Sequence, residues 1–274
     1  MIADPSGGVA LSHVVRGLVL LLVLLVTACG EDGQGSNVDP DLVDAVETPE
    51  LGACRVLTPA DVALPTNATK TVDCAELHNA ETYAVGGLPP ALDDAAYDDS
   101  EVGAFAYDRC SKQFMTFLGA DESVVMRTVV SWAWFRPSEA AWDKGARWYR
   151  CDIVGGGDQS ESYVDLPETA EGLLLRQADK WMVCVNGPSV AEAPKIPCSE
   201  EHNWRAVTTI KLGETGDEYP GDRVVEVQTR DFCSDSVGAW LSYPLDYDFG
   251  YTWFHEAEWE AGNRRSVCWA QTDR

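Results

Sequence analysis

The chain has 274 residues, ten tryptophans and a formal net charge of −25. A surface this acidic excludes nucleic acid as a partner and disfavours docking on anionic lipid, because both need Lys and Arg to neutralise phosphates. The acidity itself reads as solubility and self-repulsion rather than as a site.

Residues 1–28 read as an export signal. Arg16 supplies positive charge, Leu18 to Val26 is almost wholly apolar, and small residues precede Cys29. The apolar run falls short of the about 20 residues that a membrane-spanning helix needs. Val26-Thr27-Ala28-Cys29 resembles the bacterial lipobox. Cys29 is therefore expected to be lipidated as the mature N-terminus, anchoring the chain to the cell membrane on its extracytoplasmic face. More than one acyl chain is needed for stable anchoring. Asp4 and Pro5 make Met1 to His13 an unusual leader, which leaves a start downstream of Met1 open. Residues 29–50 are acidic and Gly-rich without apolar period, and read as a flexible tether.

Residues beyond the tether suffice for two domains of roughly 100 residues. Eight cysteines lie there, in two sets of four: Cys54, Cys74, Cys110, Cys151 and Cys184, Cys198, Cys233, Cys268. Their neighbours repeat. Cys74-Ala75-Glu76-Leu77-His78-Asn79 aligns with Cys198-Ser199-Glu200-Glu201-His202-Asn203. Trp142, Gly145 and Cys151 keep the spacing of Trp259, Gly262 and Cys268. Two tandem copies of one module follow: residues 51–154 and 172–274, with a Gly-, Ser- and acid-rich linker over 155–171.

Each copy predicts the same order of elements. A short strand carries the first cysteine (Cys54 to Leu57; Trp181 to Val185), and a second leads into the next. A third follows the histidine (Glu81 to Leu88; Ala206 to Leu212). A helix comes next, with Val102, Phe105, Ala106, Cys110, Phe114, Phe117 and Leu118 at helical spacing in copy one. Its counterpart uses Val224, Val227, Cys233, Val237, Trp240 and Leu241. Two closing strands finish copy one, Val125 to Phe135 and Ala146 to Ile153. The fold class is α+β: two small modules, each a mainly antiparallel sheet covered by one helix and stapled by two disulfides.

Export makes oxidation of the cysteines the expectation. Four cysteines allow three connectivities per module. The favoured one joins Cys74 to Cys110 and Cys198 to Cys233, tying helix to sheet. Cys54–Cys151 and Cys184–Cys268 would then tie first strand to last.

Chemical candidates are few. Cys-x-x-x-His occurs twice, at Cys74/His78 and Cys198/His202, and Glu81 adds a third zinc-type ligand in copy one. Copy two has Arg205 at that position, and a duplicated metal site should keep its ligands. A disulfide beside a loop-ordering histidine is the preferred reading, with no metal and no cofactor. Asp93, Asp94, Asp98, Asp99 and Glu101 lack the Gly and bidentate Glu of a calcium loop and read as a helix-N-terminal cluster. His255 reads as surface or strand-edge, and Asn67-Ala68-Thr69 fits a glycosylation sequon that a bacterial lipoprotein would not normally use. The aromatic stretch Tyr243 to Phe254 is the candidate binding face, although Tyr247, Phe249 and Tyr251 alternate with Asp246, Asp248 and Gly250 as in a half-buried strand, which is the preferred reading. No hydrolase or phosphate-loop motif is present.

The order Cys, Val72-Asp73-Cys74-Ala75-Glu76-Leu77-His78, a helix bearing Cys110, then Trp142, Gly145 and Cys151 resembles the septum-formation domain family. Its members are mainly exported and membrane-anchored actinobacterial proteins. Copy two keeps four cysteines, His202, Trp259 and Gly262. The resemblance implies a role in septum formation or cell-wall assembly and brings no catalytic residues. The expected protein is a non-catalytic, lipid-anchored envelope lipoprotein that binds or scaffolds an envelope protein or wall component. The alternatives are an envelope metal-dependent hydrolase, or a solute-binding lipoprotein serving a transporter with a cleft between its modules.

Overall fold

A computed structural model describes residues 37–157 and 160–272. The export signal and Cys29 lie outside the described residues. Among those described, no helix is long and apolar enough to cross a membrane.

Two five-stranded antiparallel sheets are present, built to one plan. The first contains β1 (Cys54–Arg55), β2 (Thr71–Val72), β3 (Ala80–Gly87), β4 (Ser131–Phe135) and β5 (Trp148–Val154), in the order β2-β1-β3-β5-β4. The second contains β6 (Val183–Val185), β7 (Lys195–Pro197), β8 (Trp204–Lys211), β9 (Phe249–Thr252) and β10 (Arg265–Gln271), in the order β7-β6-β8-β10-β9. The repeat extends to an irregularity: the register between β3 and β5 shifts at Tyr83, and that between β8 and β10 shifts at Val207, its counterpart.

One long helix covers each sheet. In copy one, α1 (Pro59–Val62) is a single capped turn, and α2 (Ser100–Leu118) is the covering helix. Asp99 starts α2 by accepting the Glu101 N–H at 2.9 Å, as an N-cap should. Val102, Ala106, Cys110, Phe114 and Leu118 recur every four residues, so they share one face and are buried against Tyr149, Cys151 and Ile153 of β5. Burial of each large apolar side chain there is worth about 1.5–3 kcal/mol.

Copy two uses α5 (Asp222–Trp240), after the short helices α3 (Glu122–Val125) and α4 (Glu139–Asp143) of copy one. Its buried face is Val225, Thr229, Cys233 and Val237. The expected face is corrected at two positions: Val224 and Trp240 are exposed, because the four-residue rhythm centres on Cys233 and passes through Thr229.

The four disulfides are Cys54–Cys74, Cys110–Cys151, Cys184–Cys198 and Cys233–Cys268. All lie within a copy, but the expected partners are wrong in both. Sheet order gives the reason. β3 lies between β1 and β5, so Cys54 and Cys151 stand two strands apart, about 10 Å at the usual inter-strand spacing and beyond disulfide reach. Cys54 instead meets the cysteine just past its hairpin partner β2. The helix cysteine meets β5, beneath which α2 lies.

Three other expectations are corrected. Val125 to Val130 is not strand: Asp121 caps α3 by accepting the Val124 N–H at 2.9 Å, and the chain then pairs with copy two. Val129 N–H donates to Trp181 O at 3.0 Å, and Val183 N–H to Arg127 O at 2.9 Å. The segment read as a linker is packed, since Leu166 and Ala170 are buried in the core of copy one, as are Leu174 and Trp181 from the start of the segment read as copy two. The tether is docked over part of its length: Asp39 N–H donates to Ala68 O at 2.8 Å and Lys70 N–H to Asn37 O at 2.9 Å.

Candidate functional site

Each Cys-x-x-x-His corner closes in the same way. His78 and His202 are buried, and their Nδ1 atoms lie 2.8 Å and 2.7 Å from the carbonyls of Glu76 and Glu200. A carbonyl only accepts, so Nδ1 is the donor. Both Nε2 atoms are buried without a hydrogen bond. In copy two the Cys184, Cys198 and His202 ligand atoms lie within 4.8 Å of one another. The two sulfurs are joined to each other, and zinc takes thiolates, so this oxidised donor set does not fit the metal.

The Trp-Gly repeat is a helix-ending device. Trp142 lies in α4 and Trp259 in α6 (Glu256–Glu260), both buried. Gly145 and Gly262 turn the chain at φ 95° and 102°, a left-handed region that side-chain-bearing residues rarely adopt. Arg147 and Arg264 then fold back over the indoles, 4.0 Å and 3.6 Å from ring centroids. Arg147 also donates to Trp142 O at 2.9 Å, and Arg264 to Trp259 O. These arginines were missed, although the arginine five residues after tryptophan was visible in both copies.

Other candidates are placed as follows. His255 caps α6 at the surface, with Nδ1 3.3 Å from Asp222. Tyr247, Phe249 and Tyr251 form a row beside the Cys233–Cys268 core, and Tyr247 O–H donates to Ser234 O at 2.7 Å, so this strand is half-buried on α5. The exposed apolar side chains nearby are Trp240, Tyr243 and Leu245. Within the acidic cluster, Asp99 caps α2. Asn67 accepts from Arg150 Nη2 at 2.9 Å.

On the sheet face away from α2, copy one buries a charge cluster that the sequence did not reveal. Asp152 Oδ2 lies 3.0 Å from Arg150 and 3.8 Å from Arg55, while its Oδ1 accepts from Thr82 at 2.7 Å. Burial pulls the Arg150 guanidinium down to about 10, against the opposing pull of Asp152. The register puts Val185, Ala206, Val267 and Trp269 at the four matching positions of copy two, where they form an apolar cluster.

The two copies also differ where the helix ends beside the sheet. In copy one that place is filled by residues 164–174. Leu166 N–H donates to His78 O at 2.9 Å, Gly172 N–H to Phe117 O at 2.8 Å, and Leu174 N–H to Leu118 O at 3.1 Å. Glu81 accepts from Ala170 N–H at 2.7 Å and Thr169 O–H at 2.9 Å, and burial raises its carboxyl above the ordinary value. In copy two there is a cleft of about 370 Å³ whose walls include His202, Arg205, Val207 and Trp240, with Arg127 and Asp179 opposite. Arg205 pairs with Asp179 at 2.7 Å. Arg127 is held by its donations to Ser123 O (3.0 Å) and Val207 O (2.9 Å). Burial and neighbouring Arg205 lower its affinity for its proton, with Asp121 opposing.

Two disulfide-stapled α+β modules in tandem define the class of protein. The family model described as septum formation matches residues 40–136 and 124–268, so the chain belongs to the septum formation family. The match supports a septum-related role. No curated protein and no solved structure matches the chain.

Proposed function

We propose that this chain is a non-catalytic, lipid-anchored protein of the cell envelope that serves septum formation by binding a partner. The observation that carries the reading is the double family match on a molecule whose cysteine–histidine corners are both closed by disulfides. A cysteine–histidine nucleophile needs a free thiolate, and at these corners the sulfurs are joined in disulfides. The lipobox at Cys29 and its export signal support attachment outside the cytoplasm. The partner is an envelope protein or a wall component.

The test is the position of an export-competent fluorescent fusion in dividing cells. Enrichment at the septum is expected, and loss of membrane retention on Cys29→Ala. An even distribution around the envelope would refute the septal role, and unchanged membrane retention would refute the anchor.

A second reading, capture of a solute, draws on the cleft beside Arg127 and Arg205, whose size lies in the range of small-molecule sites. Thermal stabilisation by a solute that leaves the septal pattern unchanged would favour it.

A further inference from the structure

The place filled by residues 164–174 in copy one has a counterpart in copy two that no described segment fills. The correspondence is residue by residue. His78, Glu81, Tyr83 and Phe117 surround the filled place; His202, Arg205, Val207 and Trp240, at the matching register and helix positions, line the cleft. The strap of copy one is held mainly by main-chain bonds, its N–H groups donating to the carbonyls of His78, Phe117 and Leu118. In copy two no backbone N–H among the described residues bonds to the carbonyls of His202, Trp240 or Leu241. Pro244, four residues after Trp240, has no N–H to offer. Three acceptors thus lack main-chain donors among the described residues, and a peptide that follows the course of the copy-one strap, irregular over 164–170 and turned over 171–176, supplies donors for them.

The polarity of the central anchor is reversed. Glu81 takes hydrogens from Ala170 N–H and Thr169 O–H, whereas Arg205 can only donate. Arg127 lines the same cleft, held by two backbone carbonyls with Asp121 acting on it from outside the lining, so the described lining carries two guanidiniums and one carboxylate, Asp179.

We propose that the copy-two cleft binds a segment of a partner protein that follows the course of the copy-one strap and carries a carboxylate where that strap carries Thr169. Its backbone N–H groups donate to the carbonyls of His202, Trp240 and Leu241. Its carboxylate accepts from Arg205 and Arg127, and its apolar side chains lie against Val207 and Trp240. The remaining surface is strongly acidic and repels acidic chains at long range, so recognition rests on these local contacts. The inference rests on the reading that the protein acts by binding. Localisation tests where it acts and titration tests what it holds, so either can fail alone.

The probes are two labelled synthetic peptides, Val-Asp-Leu-Pro-Glu-Thr-Ala-Glu-Gly-Leu-Leu, which reproduces residues 164–174, and the same peptide with Thr169→Asp. Fluorescence anisotropy is followed with the purified, disulfide-intact protein. The acidic peptide is expected to bind at least about tenfold tighter than its parent, the scale of one charge-assisted hydrogen-bonded contact. Arg205→Gln should abolish that preference, and Arg127→Gln should weaken it, with near-ultraviolet dichroism unchanged in both. Absence of binding by either peptide, or a preference that survives Arg205→Gln in a folded protein, would overturn the proposal. So would N-acetylaspartate displacing the peptide at the peptide's own concentration, since that would make the cleft a small-anion site. If Arg205→Gln does not fold, Trp240→Ala at the exposed rim replaces it and should weaken both peptides alike; unchanged affinity there would also count against the proposal.

Discussion

Glu81 of β3 and Arg205 of β8 stand at the same position of two equivalent sheets, each opposite the first cysteine of its copy, and carry opposite charge. Each holds a different part of the chain between the copies. Glu81 accepts from Thr169 and Ala170, and Arg205 pairs with Asp179. In copy one the position anchors a chain segment, and in copy two it lines a cleft.

Burial raises the Glu81 carboxyl above the ordinary carboxylate range, outweighing the two hydrogen bonds that lower it. The folded state therefore binds a proton more tightly than the unfolded state does. Its contribution is fully present below the unfolded value and is lost as pH rises through the folded one. Urea denaturation at stepped pH should show the native protein losing stability relative to Glu81→Gln as pH rises from the ordinary glutamate value upward. Parallel curves would contradict the assignment.

Asp152 sits between Arg55 and Arg150 with no exposure to solvent. Asp152→Asn should cost about 3–5 kcal/mol, because it leaves two buried guanidiniums uncompensated. Replacing all four members with the copy-two set, Arg55→Val, Thr82→Ala, Arg150→Val and Asp152→Trp, should recover part of that loss. Equal destabilisation by the single and the fourfold change, measured by urea unfolding, would argue against a charge penalty.

Much of this fold was legible in the sequence, because its signals are periodic or repeated. The four-residue rhythm through Cys110 and the doubled Cys-His and Trp-Gly patterns needed no knowledge of sheet order. Disulfide partners did need it, since only strand adjacency says which cysteines can meet. Leu166, Ala170 and Leu174 were hidden by the Gly and acidic residues around them, and burial came from tertiary contact rather than from local pattern. Thr229 was missed because polarity suggested exposure. The buried charge of Arg55, Arg150 and Asp152 was missed for the same reason, as alternation on a strand reads polar side chains as solvent-facing. The cleft became visible only when the two copies could be compared in space.

Arg147 and Arg264 lie over their tryptophans and donate to the helix ends. Arg147→Ala and Arg264→Ala should each cost about 1–2 kcal/mol, combining a cation–π contact with a lost hydrogen bond. Lysine at either position should restore only part, having no planar group to stack. Full restoration by lysine in thermal unfolding would show that charge alone matters.

The disulfides close segments of different length, with sequence separations of 41 for Cys110–Cys151 and 14 for Cys184–Cys198. Paired alanine replacement should cost about 2–4 kcal/mol in each case, more for the longer loop if chain entropy dominates. The reverse order in denaturant titrations would place the main effect in the folded state instead.

The most direct test of two separately stapled copies is peptide mapping of the purified protein under non-reducing conditions. Fragments joined as Cys54–Cys74, Cys110–Cys151, Cys184–Cys198 and Cys233–Cys268 are expected. A bond between the first four cysteines and the last four would contradict the tandem architecture and the cleft that depends on it.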